Sequence, residues 1–439
     1  MKSPSIPRTY DVIGIGFGPA NIALAIAFEE LNVPLSLRFL EKRAGPGWQE
    51  GMLLPESDIQ NHPLRDLVTP RNPRSRYTFT NFLFENNRLF EHLNLPLPHP
   101  LRLEYNQYIK WVAGHFAHQV EYGCSVTALT PVLDPTTGRL TSYRIQDARG
   151  DEWFARSIVL APGRTPNIPE PFSALSDSRI VHLNDFLPAL ERATANQRRP
   201  RVGVIGGSQT AVELLLHLAG QGCCQRILGV NRNFGFRLKD TSPFSDEVYF
   251  PKFVDTFFHA SDAVKNRLRQ ELVFTNYSAS DRDVLDALYV LLYRNRILGR
   301  DDVAVLHNTE VQSVSASSSG VRLALRSTLD GSLSHEELDL VVLATGFKDL
   351  GTGPQREPFP ALLADLAPHL DLRNGAIRVE YDYRVGFQSP TDQSAPLFLN
   401  GLCESSHGMG DAGSFSLLSL RSAAITQGLS TSLLQARAA

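Results

Sequence analysis

YDVIGIGFGPANIALAIAF (10–28) and RVGVIGGSQTAVELLLHLAG (201–220) decide the fold, because they are two copies of one pattern. Each begins as an apolar run, breaks at glycines, and continues as an apolar-rich stretch of helical character. A strand that ends in small residues and leads directly into a helix is the context in which backbone can approach a phosphate. Further strand candidates follow each copy in the same order. After the first come LSLRFLEK (35–42), SVTALTPVL (125–133), SYRIQD (142–147) and WFARSIVLAPG (153–163). After the second come RILGVNR (226–232), then VAVLHNTEVQSVSAS (303–317) with GVRLALRST (320–328), which read as a hairpin, and LDLVVLATG (338–346). First glycine loop to last strand end is 147 residues in one copy and 140 in the other.

Two βαβ-plus-hairpin units of matching length predict an α/β protein with two Rossmann-like dinucleotide-binding domains. The expected boundaries are 1–195 for the first unit and 196–240 with 301–345 for the second. Residues 241–300 form a small, mostly helical insertion, in which Val284, Leu285, Leu288, Leu291 and Leu292 follow helical spacing. Residues 346–439 return to the first unit.

Composition excludes several classes. The 439 residues carry 43 basic against 46 acidic side chains, a net charge of −3, without the basic excess a nucleic-acid binder needs. The four cysteines, Cys124, Cys223, Cys224 and Cys403, form no CxxC pair, which disfavours a dithiol reductase and a zinc ribbon. Histidines lack metal-ligand spacing, and His407 reads as structural. No metal site is expected. No apolar run suits a membrane span or signal peptide, so a cytoplasmic location is expected.

The first loop, Gly16-Phe17-Gly18-Pro19-Ala20-Asn21, matches GxGxxG except at Asn21. Glu41 ends the next strand, 25 residues after Gly16. An acid there accepts from ribose hydroxyls and repels a 2′-phosphate, which suits FAD or NAD. The second loop is Gly206-Gly207-Ser208-Gln209-Thr210-Ala211, and its second strand ends in Arg232, 26 residues after Gly206. An arginine there can pair with a 2′-phosphate, which favours NADPH. One resident FAD and one exchanging NADPH imply hydride transfer to a flavin.

The string GFGPANIALA (16–25) resembles the opening of the flavin-dependent N-hydroxylating monooxygenases, the ornithine N5- and lysine N6-hydroxylases of siderophore synthesis. The resemblance continues through WQEGMLL (48–54), LRDLVT (64–69), RNPRSRYTF (71–79), RLEYNQYIKW (102–111), TSPF (241–244), TNYS (275–278), ATGF (344–347) and HGMGD (407–411). It implies reduction of FAD by NADPH, reaction with O₂ to a C4a-hydroperoxide that itself carries the chemistry, and N-hydroxylation of a neutral primary amine, with ornithine first in line. It implies FAD contacts from Gly16, Gly18, Asn21, Glu41, Trp48, Gln60, Met409, Gly410 and Asp411. NADPH would meet Arg102, Gly206, Ser208, Gln209 and Arg232. Substrate would meet Arg65, Asp246 and Asn276. The family is commonly oligomeric, so a dimer or tetramer is expected.

Departures from the family pattern cluster around the amine pocket. Arg65 stands in place of a lysine, Asp246 in place of an asparagine and Gln49 in place of a histidine. Residues 61–63 read Asn-His-Pro, and the loop at 410–416 is one residue longer. These changes keep lysine, a diamine and a small amino acid such as aspartate open as substrates. A salt bridge between Arg65 and Asp246 remains an alternative to substrate recognition. So does a non-oxygenating FAD/NADPH sensor with intact cofactor loops.

Overall fold

The computed structural model describes residues 8–388, 394–411 and 413–438. Its first sheet is built on β1 (Arg8–Ile15), whose Val12 and Ile13 are fully buried, as a parallel strand covered on both faces requires. The remaining strands are β2 (Leu37–Glu41), β3 (Val120–Tyr122), β4 (Val126–Leu133), β5 (Leu140–Asp147) and β6 (Glu152–Leu160). Their order is β3-β2-β1-β6-β5-β4, with β1 parallel to β2 and β6. β6 changes partner half-way. Its first half pairs antiparallel with β5, and its second half pairs parallel with the distant strand Leu397–Leu399.

The second sheet is wholly parallel. It comprises β7 (Ile180–His182), β8 (Arg201–Ile205), β9 (Arg226–Val230), β10 (Val303–Leu306) and, after three strands outside this sheet, β14 (Leu340–Leu343). The order is β10-β9-β8-β14-β7. Its edge strand β7 lies before residue 196, so this sheet reaches into the stretch assigned by sequence to the first unit. A small antiparallel sheet, β11 (Thr309–Ser317), β12 (Gly320–Ser327) and β13 (Leu333–Leu338), sits beside it. The stretch 303–317 is therefore two strands and not one arm of a hairpin. The chain turns at Asn308, whose φ of +50° is one that asparagine adopts more readily than most residues.

The helix Pro19–Glu30 has every residue from Asn21 to Phe28 buried. It lies between the first sheet and the C-terminal helix Leu418–Ala438, so it is apolar on all sides. The insertion holds helices Pro251–His259, Asp262–Glu271 and Arg282–Ile297. The Val284–Leu292 stripe packs onto the second core, against the helix Gln209–Gln221.

A buried ion pair ties the two halves together. Arg102, at the start of helix Arg102–His115, reaches Glu213 on helix Gln209–Gln221 at 3.0 Å. It also donates to the carbonyls of Met52 at 3.0 Å and Asp58 at 3.1 Å. No described helix is long and apolar enough to cross a membrane.

Candidate functional site

Between the two sheets runs a cleft of about 2210 Å³, lined by both glycine loops. A pocket for one drug-sized ligand is typically ~300–1,000 Å³, so this cleft has room for more than one.

At the first loop, Gly16 has φ +85°, and a Cβ there would lie 2.3 Å from the Ala161 carbonyl oxygen. Its glycine is demanded by the fold itself. Gly18 is different: a Cβ there meets nothing within 4 Å, so it borders open cleft at the N-terminus of helix Pro19–Glu30. Asn21 is buried, donating through Nδ2 to the Gly16 carbonyl at 2.7 Å and accepting from Asn400 at 3.2 Å. Asn21 therefore braces the loop from behind. Glu41 accepts from the Phe17 amide at 2.6 Å and from the Arg43 amide and Nε at 3.0 and 2.9 Å. A carboxylate has about four acceptor positions, so one remains open on Glu41, which lines the cleft. Trp48 and Gln60 both line the cleft. The Trp48 ring stands edge-on to Tyr105 and Phe415, and Gln60 donates to Asp281.

At the second loop, Gly206 has φ +157°, and a Cβ there would meet the Ala344 carbonyl oxygen at 2.4 Å. Ser208 caps the helix Gln209–Gln221 without a side-chain hydrogen bond to it. Arg232 is exposed on the cleft wall and has no ion-pair partner among the described residues. Gln209 accepts from the Asp281 amide at 2.8 Å and donates to Glu213 at 3.0 Å, which fixes the loop to the insertion. Arg102 touches the cleft, but its guanidinium is committed to Glu213 and two carbonyls.

Arg65, Asp246 and Asn276 line one region of the same cleft. Arg65 donates to Ser416 Oγ at 3.4 Å and lies over the Tyr249 ring, 5.8 Å from its centre. Arg65 and Asp246 form no salt bridge with each other, and neither has an ion-pair partner among the described residues. Burial pushes the Tyr249 phenol up, and the neighbouring Asp246 carboxylate adds to the shift.

Met409, Gly410 and Asp411 are placed away from the cleft. Met409 is buried and its sulfur accepts from Thr275 Oγ1 at 2.9 Å. Gly410 faces Leu417 and the Val248 carbonyl. Asp411 is fully buried, 3.0 Å from Arg421 and accepting from the Cys403 amide at 3.0 Å. A carboxylate this deep must be neutralised by a partner, and Arg421 does so. The part of this segment that reaches the cleft is Gly413, Ser414, Phe415 and Ser416. His407 is buried and stacks on Tyr383 at 4.1 Å.

Sequence reading missed a charged cluster on the cleft wall. Arg164 meets Asp349 at 2.6 Å and donates to the Tyr277 oxygen at 3.4 Å. Tyr277 in turn donates to buried Glu404. Burial pushes the Glu404 carboxyl up to about 8, with Asp349 adding to it and Arg164 opposing. Tyr277 sits inside the quoted TNYS string, but its partners come from residues more than 100 positions away, which no local pattern reveals.

The family model for L-lysine 6-monooxygenase/L-ornithine 5-monooxygenase matches residues 8–349. The chain belongs to that family. The L-ornithine N(5)-monooxygenase of Pseudomonas aeruginosa is 35% identical over 411 residues, spanning 92% of this chain and 89% of that protein. Among solved structures, the reduced form of ornithine hydroxylase from Pseudomonas aeruginosa superposes with a TM-score of 0.88 at 34% identity, over 97% of this chain and 99% of that one. The ornithine N-hydroxylase of Kutzneria sp. 744, with reduced FAD, NADP⁺ and L-ornithine, has a TM-score of 0.87 at 30% identity, over 96% and 99% of the two chains. Family membership carries the two-nucleotide architecture and places this chain among amine monooxygenases, not dithiol reductases or hydrolases.

Proposed function

We propose that this protein is an NADPH- and O₂-dependent flavoprotein that hydroxylates the side-chain amine of L-ornithine to give N5-hydroxyornithine, for siderophore or related natural-product synthesis. The observation that carries this reading is a single cleft lined by two glycine loops of opposite second-strand chemistry, Glu41 on one and Arg232 on the other. Gly16, Gly18, Asn21, Glu41, Trp48 and Gln60 fit FAD, because Gly18 leaves open space at a helix N-terminus and Glu41 keeps an acceptor free. Gly206, Ser208 and Arg232 fit NADPH, with Arg232 free to meet the 2′-phosphate. FAD, when bound, supplies the hydride acceptance and oxygen activation.

The chain's own residues select and hold the amine. Arg65 offers a two-pronged donor for the substrate α-carboxylate, and the unpaired Asp246 faces the same region, where it suits the α-ammonium of a zwitterion. That pairing favours an α-amino acid over a diamine, which has no carboxylate for Arg65. Asn276 orients the substrate beside the nicotinamide ribose. Phe415 and Trp48 help keep water from the cleft interior. The balanced charge and lack of a described spanning helix support a cytoplasmic enzyme. Exposed Phe84, Phe90 and Leu93 offer a face for self-association into a dimer or tetramer. The test is oxygen consumption and hydroxylamine formation with ornithine, lysine, diamines and aspartate. Hydroxylamine with ornithine supports the reading; H₂O₂ alone with every amine would overturn it.

A further inference from the structure

Amine hydroxylation needs a neutral amine, yet an alkyl ammonium in water has a pKa of ~10.4. Near neutrality nearly all substrate therefore arrives with a proton that has to go somewhere. We infer that Glu404 accepts that proton, reached through the hydroxyl of Tyr277. This inference rests on the amine N-hydroxylase reading above.

The geometry supplies the path. Tyr277 lines the cleft, as does its neighbour Asn276. A Cβ built on Gly413 would lie 3.6 Å from Arg164 Nη1, 3.8 Å from the Tyr277 oxygen and 3.9 Å from Asn276 Nδ2, so all three converge on one point of the wall. A phenol has one donor and two acceptor positions. Tyr277 directs its donor to Glu404, and Arg164 fills one acceptor at 3.4 Å. One acceptor position remains for an incoming ammonium N–H. Proton transfer then balances simply. The ammonium N–H bond breaks and its proton joins the Tyr277 oxygen, while the Tyr277 O–H bond breaks and its proton joins Glu404. The amine keeps its lone pair, Tyr277 is regenerated, and Glu404 becomes the neutral acid. Because R–NH₂ + O₂ + NADPH + H⁺ gives R–NHOH + NADP⁺ + H₂O, one proton per turnover is consumed within the site.

The surroundings suit an acceptor. Phe253, Phe257 and Leu268 line a small apolar pocket against Glu404 and keep bulk water from it. Asp349 and Asp411 disfavour its negative charge, while Arg164 and Arg269 favour it; Tyr249 and Tyr277 are the remaining titratable groups that sense it. An ordinary glutamate, ~4.3, would be about six units too acidic to take a proton from an alkyl ammonium. At about 8, Glu404 narrows that gap to about two units, roughly a hundredfold, and consumption of the neutral amine draws the transfer forward.

The experiment is the pH dependence of kcat/KM for the amine, read as hydroxylamine formed, in wild type, Glu404→Gln, Glu404→Asp and Tyr277→Phe at equal FAD content. Glu404 accepts only when ionised, so wild-type kcat/KM should rise with pH through about 8. Glu404→Gln should lose about a hundredfold near neutrality. It should also move the rising limb up toward that of the free amine. Tyr277→Phe should do the same, and Glu404→Asp should restore part of the loss. Infrared titration adds a readout independent of turnover: a carboxylic acid band titrating near 8 and missing in Glu404→Gln. If Glu404→Gln does not hold FAD, Tyr277→Phe carries the kinetic test. An unchanged limb in the flavin-loaded variants overturns the inference and leaves the proposed function standing. A wild-type enzyme that makes no hydroxylamine from any amine removes both.

Discussion

Arg102→Ala should act on stability and not on coenzyme selection. Arg102 and Glu213 are about nine-tenths buried, 3.0 Å apart, and join helices from different halves of the molecule. Truncating Arg102 leaves the Glu213 carboxylate with only the Gln209 amide at 3.0 Å among the described residues, and removes a donor from the Asp58 carbonyl and one of the two donors to the Met52 carbonyl. Removing one member of a buried pair costs about 3–5 kcal/mol, because an uncompensated charge stays inside. The assay is urea unfolding at matched FAD content, with Glu213→Gln and the double variant completing the cycle. Coupling between the two sites should exceed ~0.5 kcal/mol, the level at which distant sites still add. The KM for NADPH should change little in whatever fraction remains folded. If Arg102→Ala instead keeps its unfolding midpoint and raises that KM tenfold or more, Arg102 is a coenzyme ligand and the clamp is wrong.

Arg232→Ala should raise the KM for NADPH about ten- to a hundredfold, the worth of one hydrogen bond to a charged group, and leave NADH kinetics nearly unchanged; equal damage to both coenzymes would remove Arg232 from the 2′-phosphate. Gly18→Val should fold and lose FAD, since its Cβ enters open cleft, whereas Gly16→Val should lower stability because its Cβ meets the Ala161 carbonyl; absorbance of purified flavin and thermal unfolding separate the two. Arg65→Ala should weaken ornithine binding by about 2–5 kcal/mol, through a carboxylate left unpaired in the cleft, as titrated by amine-stimulated NADPH oxidation. Asp246→Asn should be mild with ornithine if Asp246 only repels the carboxylate, and should cost affinity if it grips the α-ammonium. The α-N-acetylated substrate decides between these, because a real grip predicts that wild type and Asp246→Asn no longer differ with it.

Both glycine loops, their helices and the parallel strands around them were legible because each is local: apolar run, small residues, helix. The hairpin itself is present, but its first arm begins at Thr309 and not at Val303, since the chain changes direction at one residue, Asn308, with no glycine or proline to announce it. Strand β13, LSHEEL, alternates weakly and faces solvent on much of its length, so its pairing with β12 is invisible without the partner. In the site, Glu41 and Arg232 could be named because one ends its strand and the other lies two residues past its strand, at similar distances from their loops. Arg102 could be placed near the cleft but not given its partner, since Glu213 lies 111 residues away. The HGMGD string drew attention to Met409 and Asp411, yet packing turns these inward and brings the following residues to the cleft. Glu404 looked unremarkable beside two serines, because a carboxylate becomes unusual only through what surrounds it.

The partner change along β6 bears on the order in which this chain can fold as it is made. The second sheet is complete once residue 343 has been synthesised, since all its strands lie between 180 and 343. The first sheet begins at residue 8 yet waits for Leu397–Leu399, and its buried helix Pro19–Glu30 waits further for the helix Leu418–Ala438. Contacts closed over such separations form slowly, because the intervening chain must first be ordered. The sheet that starts earlier is thus the one that closes later, and its apolar helix stays uncovered until residues 418–438 have been made. Synthesis of the helix Leu418–Ala438, not the emergence of the first glycine loop, sets the earliest moment at which the flavin site can be whole.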